Sequence, residues 1–535
     1  MQVSECCGHC WDYTVDMMAN ERTSQGPSDR RIRSVVIVGG GTAGWMSAAA
    51  LCVATRGKQL RIILVESDEI GIIGVGESTI PVIRYFNHLL GIDENEFVRQ
   101  TQATFKLGIR FEDWKYIGHS YFHPFGEQLF GGDPPNPNVL PVLYRYLVKL
   151  AAEGHEPDLE EYALCSVAAR NNRFDRPPKE KPVPALSYAF QLDASLYAIY
   201  LRGFAEKRGV KRVEGRIVDV QLRPENGFVE AVILQSGQRI EGDLFIDCSG
   251  FRALLAGQAL RDPYEDWSHW LPCDRAWAVP SESEAPLVPY TRATARGAGW
   301  QWRIPLQHRV GNGHVFSSKF VSEDEAAGIL LANLGGRSLA EPRLVKFIAG
   351  RRRHPWSKNC VAIGLSSGFI EPLESTSIHL IQDAILRLIE LFPDRDFGPL
   401  VIEEYNRRVT NEVERTRDFI IMHYHLTERE DTEFWRYCRT MSIPDTLAFR
   451  IEMFRKHGRV SLAHGEGFGA RQWMTVMYGQ GVMPESHPQL GNLPGERAMH
   501  AEMEEARLVI QRIVERMPRH EDFIARNCSA TPFAA

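Results

Sequence analysis

A short run of apolar, mostly β-branched residues over 35–38 opens the patterned part of the chain. An unbroken run of this kind is typical of a strand buried on both faces of a parallel sheet. A glycine turn over 39–44 follows, then an alanine-rich stretch over 45–54 that predicts a helix, then a second apolar run over 61–65. The pattern therefore predicts a β-α-β unit of about 30 residues, the size of a dinucleotide-binding unit.

Two more apolar runs, over 243–247 and 359–363, predict further buried strands of the same kind. Between them and the first unit, residues 210–237 alternate apolar and polar positions, which is typical of small antiparallel strands. From residue 378 the apolar spacing becomes three and four, which predicts a helix there. Roughly the last 130 residues are predicted to be mostly helical. The sequence predicts an α/β fold with a helical C-terminal part.

The composition is that of an ordinary globular protein: 535 residues, 44% hydrophobic and 24% charged, with a net charge of −6. These values exclude a disordered, fibrous or coiled-coil chain, and the length allows two or three domains. No basic cluster is interleaved with aromatic residues, so we expect no nucleic-acid partner.

Ten cysteines are scattered along the chain, and only those at 6, 7 and 10, beside His9, have the spacing of metal ligands. No second ligand pair lies near them, so we expect a disordered tail over 1–30 and no metal site. We interpret the other cysteines as buried thiols of a protein in a reducing cytoplasm. The uncharged stretch 34–55 contains four glycines and resolves into strand, turn and helix, so we expect no membrane span.

The turn after the first strand fits G-x-G-x-x-G. In such a motif one glycine makes the tight turn, one lets the backbone approach a pyrophosphate, and one lets the helix pack on the strand. A carboxylate 22 residues further on, at the end of the second strand, is placed to hold ribose hydroxyls. The predicted cofactor-binding residues of this unit are Gly39, Gly41, Thr42, Ala43, Gly44 and Glu66.

The chain contains one such fingerprint, whereas a flavoenzyme that binds nicotinamide in a dedicated domain usually shows two. The Asp247–Gly250 segment and Gly364 each follow a buried strand and resemble the later FAD-contact motifs of glutathione-reductase-like flavoproteins. The resemblance implies a glutathione-reductase-like FAD-binding Rossmann fold. We therefore expect FAD, reduced by a separate enzyme or by diffusing nicotinamide.

Four further segments together resemble the FAD-dependent tryptophan halogenase family, in that family's order and over about residues 33 to 440. They are Gly299-Trp-Gln-Trp-Arg-Ile-Pro305, Gly74-Val-Gly-Glu-Ser-Thr-Ile-Pro81, Phe105-Lys-Leu-Gly-Ile-Arg-Phe111 and Gly368-Phe-Ile-Glu-Pro-Leu-Glu-Ser-Thr-Ser-Ile378. The resemblance implies an enzyme that uses FADH2, O2 and chloride or bromide to halogenate an electron-rich aromatic. It also implies a separate NAD(P)H-dependent flavin reductase as partner.

Lys106 lies in a segment whose odd positions, from Phe105 to Phe111, are apolar. This alternation predicts one strand with Lys106 and Gly108 on the same face, where the glycine leaves room for an approaching group. In the family that this segment resembles, the matching lysine is catalytic. Its ammonium can donate a hydrogen bond to hypohalous acid, or its free amine can be halogenated, which needs a lowered pKa.

Glu374 precedes three N-cap residues, Ser375 to Ser377, ahead of a predicted helix. Helix-start amides favour an anion, and the resemblance implies that halide binds at the backbone of Thr376 and Ser377. It implies that Glu374 faces the substrate and takes the ring proton. Glu371, three residues earlier, is the rival for that role.

The remaining implied residues line the cofactor and the substrate. The pair His123 and Phe125 matches an H-x-F motif that lines the aromatic substrate in the family. Trp300 and Trp302 are interpreted either as core residues or, by the resemblance, as a barrier between flavin and substrate. The implied flavin-lining residues are Ile73, Val75, Ser78, Leu365 and Ile378.

We predict three parts: a disordered extension over 1–30, a FAD-binding catalytic module over 31–395, and a helical substrate-binding part over 396–535. Residues 434–444 keep some aromatics but no recognisable clamp for an amino-acid group. The possible substrates are free indole, an indole derivative, tryptophan or a phenol. A homodimer is a possible oligomeric state. The alternatives to a halogenase are a FAD-dependent aromatic monooxygenase and a flavin-binding protein without turnover.

Overall fold

The structure is a computed structural model. It describes residues 29–55, 60–69, 76–126, 146–147, 149–150, 153–155, 158–177, 186–283, 285–462, 466–486 and 496–530. Residues 1–28 with the N-terminal cysteines, and the predicted flavin-lining residues Ile73 and Val75, lie outside these ranges.

The strands, numbered in chain order, are β1 Ser34–Val38, β2 Arg61–Glu66, β3 Gly76–Ser78, β4 Thr104–Lys106, β5 Gly108–Glu112, β6 Ser120–Pro124, β7 Ala189–Asp193, β8 Lys211–Glu214, β9 Ile217–Leu222, β10 Val229–Leu234, β11 Arg239–Glu241, β12 Leu244–Asp247, β13 Tyr264–Asp266, β14 Arg275–Ser281, β15 Thr291–Arg296, β16 Gly299–Pro305, β17 Val310–Phe316, β18 Arg343–Lys346, β19 Gly350–Arg352, β20 Trp356–Ser357, β21 Cys360–Ala362 and β22 Gly368–Phe369. The α-helices are α1 Thr42–Ala54, α2 Val82–Leu90, α3 Glu94–Gln100, α4 Leu164–Arg170, α5 Ala194–Glu206, α6 Glu323–Ala332, α7 Ser377–Glu390, α8 Pro399–His425, α9 Glu433–Thr440, α10 Asp445–His457, α11 Ala470–Gly479, α12 Glu496–Arg516 and α13 His520–Asn527.

A six-stranded sheet in the order β20-β21-β12-β1-β2-β8 contains the predicted β-α-β unit. Its central strands run parallel, with β1 between β12 and β2, and only β20 is antiparallel to its neighbour. Every residue of β1 is buried, in agreement with the prediction from the apolar run over 35–38. The glycine turn follows β1 at the carboxyl edge of this sheet, where open α/β sheets bind ligands. The predicted Rossmann fold is confirmed.

Two other sheets position the segment around Lys106. A three-stranded antiparallel sheet has the order β3-β7-β4, and a seven-stranded sheet has the order β18-β14-β17-β16-β15-β5-β6. The chain leaves the first sheet after Lys106 and enters the second at Gly108. The prediction of one continuous strand over 105–111 is therefore wrong. Its alternation arises because Phe105 and Phe111 enter two different hydrophobic cores.

The structure explains the glycine at position 108 differently from the sequence prediction. A Cβ built on it would lie 2.4 Å from the carbonyl oxygen of His123 and 2.6 Å from a ring carbon of Phe122. Gly108 is therefore required by the close approach of β6, and the space beside it is already filled by protein. It leaves no room there for a group approaching Lys106.

The C-terminal part is helical from α7 onward, as the spacing of apolar residues predicts. Both large hydrophobic cores take side chains from before and after residue 395, and the predicted division there stays a prediction. The first core includes Phe105 from β4 and Phe523 from α13, so the end of the chain packs beside the strand of Lys106.

The described cysteines are all free and buried, in agreement with their interpretation as thiols. They are Cys52, Cys165, Cys248, Cys273, Cys360, Cys438 and Cys528. Within the described ranges no group of histidine, cysteine and carboxylate side chains is arranged to hold a metal ion. No helix in the described part of the chain combines the length and apolar character needed to cross a membrane.

Candidate active site

The glycine turn between β1 and α1 is shaped by close backbone contacts. Gly39 has a φ of +109°, and a Cβ there would lie 2.2 Å from the carbonyl oxygen of Cys248. A Cβ on Gly44 would lie 1.9 Å from the carbonyl oxygen of Gly39. A Cβ on Gly41, the N-cap of α1, would meet nothing within 4 Å. The turn therefore packs tightly on its protein side and is open at the helix N-terminus, where a pyrophosphate would bind.

Glu66 ends β2 directly beside this turn. Its carboxylate packs against Gly40, where a Cβ would lie 1.4 Å from Oε2. Arg212 donates a hydrogen bond to the same carboxylate, and Arg202 lies 3.6 Å from it. Glu66 thus stands where the fold places the ribose-binding carboxylate, held by two arginines.

The predicted flavin-lining residues of the later segments lie at the same edge. A Cβ on Gly364 would come within 2.9 Å of the Cβ of Ala43, which brings the turn after β21 against the glycine turn. Leu365 is half-buried in the next turn, and Ile378 is buried in the first turn of α7. The hydroxyl oxygens of Ser78 and Thr291 form a hydrogen bond of 2.7 Å, and both residues are buried. The donor set, open helix N-terminus and apolar lining fit a dinucleotide cofactor such as FAD.

Lys106 is fully buried at the end of β4. Its Nζ donates hydrogen bonds to the carbonyl oxygen of Thr79 at 3.2 Å and to the hydroxyl of Ser375 at 2.8 Å. The ring centroid of Phe125 lies 5.0 Å from the same nitrogen. Burial lowers the pKa of Lys106 to about 7, an effect that the negative charge of Glu374 opposes. Both the ammonium and the free amine are therefore accessible near neutral pH.

The loop from Glu374 to Ser377 brings three predicted functions onto one backbone turn. Ser375 has a φ of +60°, and Thr376 is the N-cap residue of α7 without a side-chain cap. The first helical hydrogen bond runs from Leu380 N to Thr376 O, so the amides of Thr376 and Ser377 precede the helical ladder. Amides so placed at the start of a helix attract an anion.

Glu374 is buried between two histidines. Its carboxylate oxygens lie 2.9 and 3.0 Å from Nδ1 of His123, which donates the shared hydrogen. Nε2 of His423 lies 2.8 Å from Oε1, in a contact bent away from ideal hydrogen-bond alignment. Burial alone would raise the pKa of Glu374, but His123 and His423 outweigh it and hold that pKa at about 2. Glu374 is therefore ionised at neutral pH.

The contacts of His423 extend this cluster to a tyrosine. Burial lowers the pKa of His423, so the ring is neutral and carries one N–H at neutral pH. The charge of Glu374 favours that hydrogen on Nε2, which leaves Nδ1 to accept from the Tyr121 hydroxyl at 3.0 Å. His123 keeps a buried Nε2 with no hydrogen-bond partner among the described residues. The cluster therefore holds one fixed anion and one buried ring nitrogen without a hydrogen-bond partner among the described residues.

Glu371, the rival candidate, is buried elsewhere. Its Oε2 accepts from Trp300 Nε1 and from the Tyr424 hydroxyl, both at 2.6 Å. Burial raises the pKa of Glu371 to about 7. Two carboxyl groups three residues apart thus have opposite pKa shifts. Glu371 is the one whose hydrogen bonds join core side chains to each other.

The tryptophan pair lies in the core beside Glu371. Trp300 and Trp302 have ring centroids 6.0 Å apart, and both are buried. The Trp302 ring covers Gly313, where a Cβ would lie 2.0 Å from a ring carbon. These contacts support the core interpretation of the pair, and a barrier role between flavin and substrate stays a prediction.

Aromatic rings surround His123 on the side of α8. His123 and Phe419 have ring centroids 5.8 Å apart. Phe419 stacks on Phe468 at 3.9 Å and meets Trp473 edge-on at 4.8 Å. With Phe125 near Lys106, these rings build an aromatic wall next to the predicted lysine and carboxylate.

The structure brings Lys106, Glu374, His123 and Phe125 together with the start of α7, and their roles stay predictions. Sequence reasoning missed Ser375, His423 and Tyr121. Ser375 stands inside a motif that was singled out, but its contact with Lys106 joins residues 269 positions apart. His423 lies in a His-x-His stretch on α8, and no spacing links it to Glu374. Only the fold reveals either pairing.

Comparisons with known proteins agree with this geometry. A family model described as tryptophan halogenase matches residues 34–495. A tryptophan 6-halogenase of Streptomyces toxytricini is 38% identical over 479 residues, which cover 84% of this chain and 89% of that protein.

Solved structures give the same result. A flavin-dependent halogenase from Xanthomonas campestris superposes with a TM-score of 0.89 at 49% identity, over 94% of this chain and 99% of that one. A flavin-dependent halogenase from Brevundimonas sp. BAL3 superposes with a TM-score of 0.88 at 46% identity, over 93% and 99% of the two chains.

Proposed function

Because the chain belongs to the tryptophan halogenase family of flavin-dependent enzymes, we propose that it uses FAD to halogenate an indole ring that lacks a free amino-acid group. The observation that carries the proposal is the convergence of Lys106, Glu374 and the start of α7 beside an aromatic wall. Each of the three supplies one part of an electrophilic substitution.

The glycine turn, Glu66, Ser78, Leu365 and Ile378 would hold FAD at the carboxyl edge of the six-stranded sheet. When bound and reduced, the flavin supplies, with O2, the oxidising power that converts halide into hypohalous acid. The amides of Thr376 and Ser377 hold the halide beside it. The chain shows one dinucleotide fingerprint, which supports a separate flavin reductase in the same cytoplasm as the source of reduced flavin.

Lys106 presents the halogen to the substrate. Its nitrogen is fixed by Thr79 and Ser375, so that one remaining direction is left for hypohalous acid. Burial removes competing water, and a pKa near 7 lets the group act as a hydrogen-bond donor or as an amine. The pocket around the nitrogen therefore delivers electrophilic halogen at one place.

Glu374 stabilises the cationic ring that forms when halogen adds, and then takes the ring proton. A carboxylate with a pKa near 2 is a weak base, but the proton of such a cation is strongly acidic, so a fixed negative charge matters more than basicity. His123 and His423 hold the carboxylate in its ionised form and orientation.

Charges that are already engaged support the proposed substrate class. The side chain of Glu466 is buried and pairs with Arg415 at 3.3 Å and with Arg450 at 2.7 Å, and the guanidinium of Arg450 lies over the Trp473 ring. Trp435, within residues 434–444, is fully buried and donates to the carbonyl oxygen of Arg296. These side chains are not arranged to grip an ammonium and a carboxylate, which favours recognition of the ring alone.

A competition assay tests the proposal. Purified protein with FAD, a flavin reductase, NADH and either chloride or bromide receives indole and tryptophan together, and the products are analysed by mass spectrometry and NMR. We expect halogenated indole substituted at C3, the position that ring electronics favour. A preference for tryptophan of about tenfold or more, about 1.4 kcal/mol, with halogen on one benzo carbon would contradict the substrate proposal. Hydroxylated products would instead indicate a monooxygenase.

A further inference from the structure

The outer edge of the strand that carries Lys106 is covered by a histidine from the far end of the chain. β4 pairs with β7 along one edge only, with Phe105 opposite Phe190 and Lys106 opposite Ala189. The amide of Phe105 donates instead to Nε2 of His520 at 3.1 Å. His520 thus completes the hydrogen bonding of the residue directly before Lys106.

We propose that His520 is a positioning residue, which fixes β4 so that Lys106 stands in the geometry needed for halogen transfer. This inference rests on the proposed function only in that Lys106 delivers the halogen. The chain segment involved lies beyond residues 34–495, to which the family model extends.

Both nitrogens of His520 are engaged, which fixes its ring. Nδ1 donates to the carbonyl oxygen of Leu287 at 2.8 Å, so Nε2 is the acceptor nitrogen of the neutral ring. Burial lowers the pKa of His520 to about 4, and the ring therefore stays neutral at neutral pH. Because the bond to Leu287 fixes the ring, Nε2 is a fixed acceptor and constrains the position of the Phe105 amide.

Side-chain packing reinforces the contact. The Phe105 ring stacks on Phe174 at 4.1 Å and meets Phe523 of α13 edge-on at 5.4 Å. Gln307 donates to the carbonyl oxygen of Ala103, two residues before Phe105, at 2.7 Å and to that of Cys528, the C-cap residue of α13, at 3.3 Å. The end of the chain is therefore joined to β4 at Phe105 and to the residue just before the strand.

A shift of β4 acts directly on the lysine. The Lys106 side chain reaches Thr79 and Ser375 from a backbone only one residue away from the His520 contact. Without an acceptor the buried amide of Phe105 must find another partner, which requires β4 to move. Misplacement of a reacting group by about 1 Å lowers a rate by roughly a hundredfold, while substrate binding is little affected.

The test compares His520→Ala with His520→Gln. A glutamine side chain carries an acceptor oxygen and a donor NH₂ group, so we expect it to restore both hydrogen bonds of His520. His314→Ala is the matched control, because His314 is equally buried, has a pKa lowered to about 4 by burial, and donates to a backbone carbonyl, that of Ala326, away from β4. Halogenation is measured per folded protein, together with KM and with hydrogen exchange of the Phe105 amide.

We expect His520→Ala to lower kcat about tenfold or more with KM changed less than about twofold, and to speed exchange at Phe105. His520→Gln should recover most of kcat, and His314→Ala should keep it. A wild-type kcat in His520→Ala, or an equal loss in His314→Ala, would overturn the inference. If the alanine variant does not fold, His520→Asn replaces it, because its shorter amide keeps the donor to Leu287 but does not reach Phe105. Halogenation by a Lys106→Ala variant would overturn the role of Lys106 in the proposed function. The hydrogen exchange of the Phe105 amide would still show whether His520 fixes β4.

Discussion

The ammonium nitrogen of Lys106 lies 2.8 Å from the hydroxyl oxygen of Ser375, the residue between Glu374 and the N-cap of α7. One backbone turn thus carries the partner of the lysine, the carboxylate proposed to face the substrate ring, and the first amide of the proposed halide site. A change in this turn is expected to affect all three.

Replacement of Lys106 by alanine should abolish halogenation and leave flavin binding intact. Lys106 lies on β4, whereas the glycine fingerprint follows β1 in another sheet, so cofactor affinity has no reason to change. Product formation and flavin fluorescence titration measure the two effects. More than about a tenth of the wild-type rate, only ~1.4 kcal/mol of barrier, would refute the role of Lys106.

Ser375→Gly should slow halogenation by roughly 10- to 100-fold, because a hydrogen bond to a charged group contributes about 1.5–3 kcal/mol. Glycine suits the φ of +60° at this position, so the backbone turn and the halide-binding amides should survive. The halide concentration giving half-maximal rate is the internal control. A large rise in that concentration would show that the turn itself was lost.

Glu374→Gln and Glu371→Gln should differ in activity. Glu374 is held ionised by His123 and His423, so loss of its charge should slow halogenation by roughly 10²–10³-fold, the range seen when one group that stabilises transition-state charge is removed. Glutamine at 371 can still accept from Trp300 and Tyr424, so its rate should stay near that of the wild type. Single-turnover product formation compares the variants, and a reversed order would assign the base to Glu371.

The same two variants should also differ in the pH dependence of stability. The folded pKa of Glu374, about 2, lies below its ordinary 4.5, so its stabilisation is present above pH 4.5 and is lost as the pH falls toward 2. The folded pKa of Glu371, about 7, lies above 4.5, so its contribution is present below pH 4.5 and is lost as the pH rises toward 7. Relative to wild type, Glu371→Gln should therefore gain unfolding free energy as the pH rises from 4.5 to 7, measured by denaturant titration. A constant difference over that range would contradict the raised pKa.

Electron supply gives a prediction at the level of the whole protein. With one dinucleotide fingerprint, the purified chain with bound FAD should consume NADH only when a flavin reductase is added. Absorbance at the NADH band follows this directly. Rapid NADH oxidation by the chain alone would show a nicotinamide site that the sequence does not reveal.

The nucleotide-binding half could be predicted from sequence because its signals are local. The β1 run, the glycine turn and Glu66 lie within one supersecondary unit, where spacing alone sets geometry. The segment around Lys106 was harder, since its alternating pattern is also produced by a chain that passes from one sheet to another. Gly108 shows the same limit, because a glycine required by a neighbouring strand cannot be told from one that makes room for a ligand.

The cluster around Glu374 could be predicted only in part. A resemblance supplied His123 and Glu374, but His423 and Ser375 meet their partners across the fold, where no periodicity connects them. His520 is the extreme case, since its contact with Phe105 spans 415 positions. Contacts of this kind depend on which elements become neighbours, and that is a property of the tertiary structure.

The buried cysteines bear on how long such an enzyme survives its own oxidant. Hypohalous acid attacks sulfur, and attack is fastest on an exposed thiolate. Burial raises the pKa of Cys52 and Cys528 to about 11 and that of Cys165 to about 12, so these thiols stay protonated as well as shielded. Oxidant that escapes the proposed transfer to Lys106 therefore meets no surface thiol in the described part of the chain. In a variant without the cysteines at 6, 7 and 10, self-inactivation during long reactions should accordingly proceed through other side chains, and added reductants of disulfides should not restore lost activity.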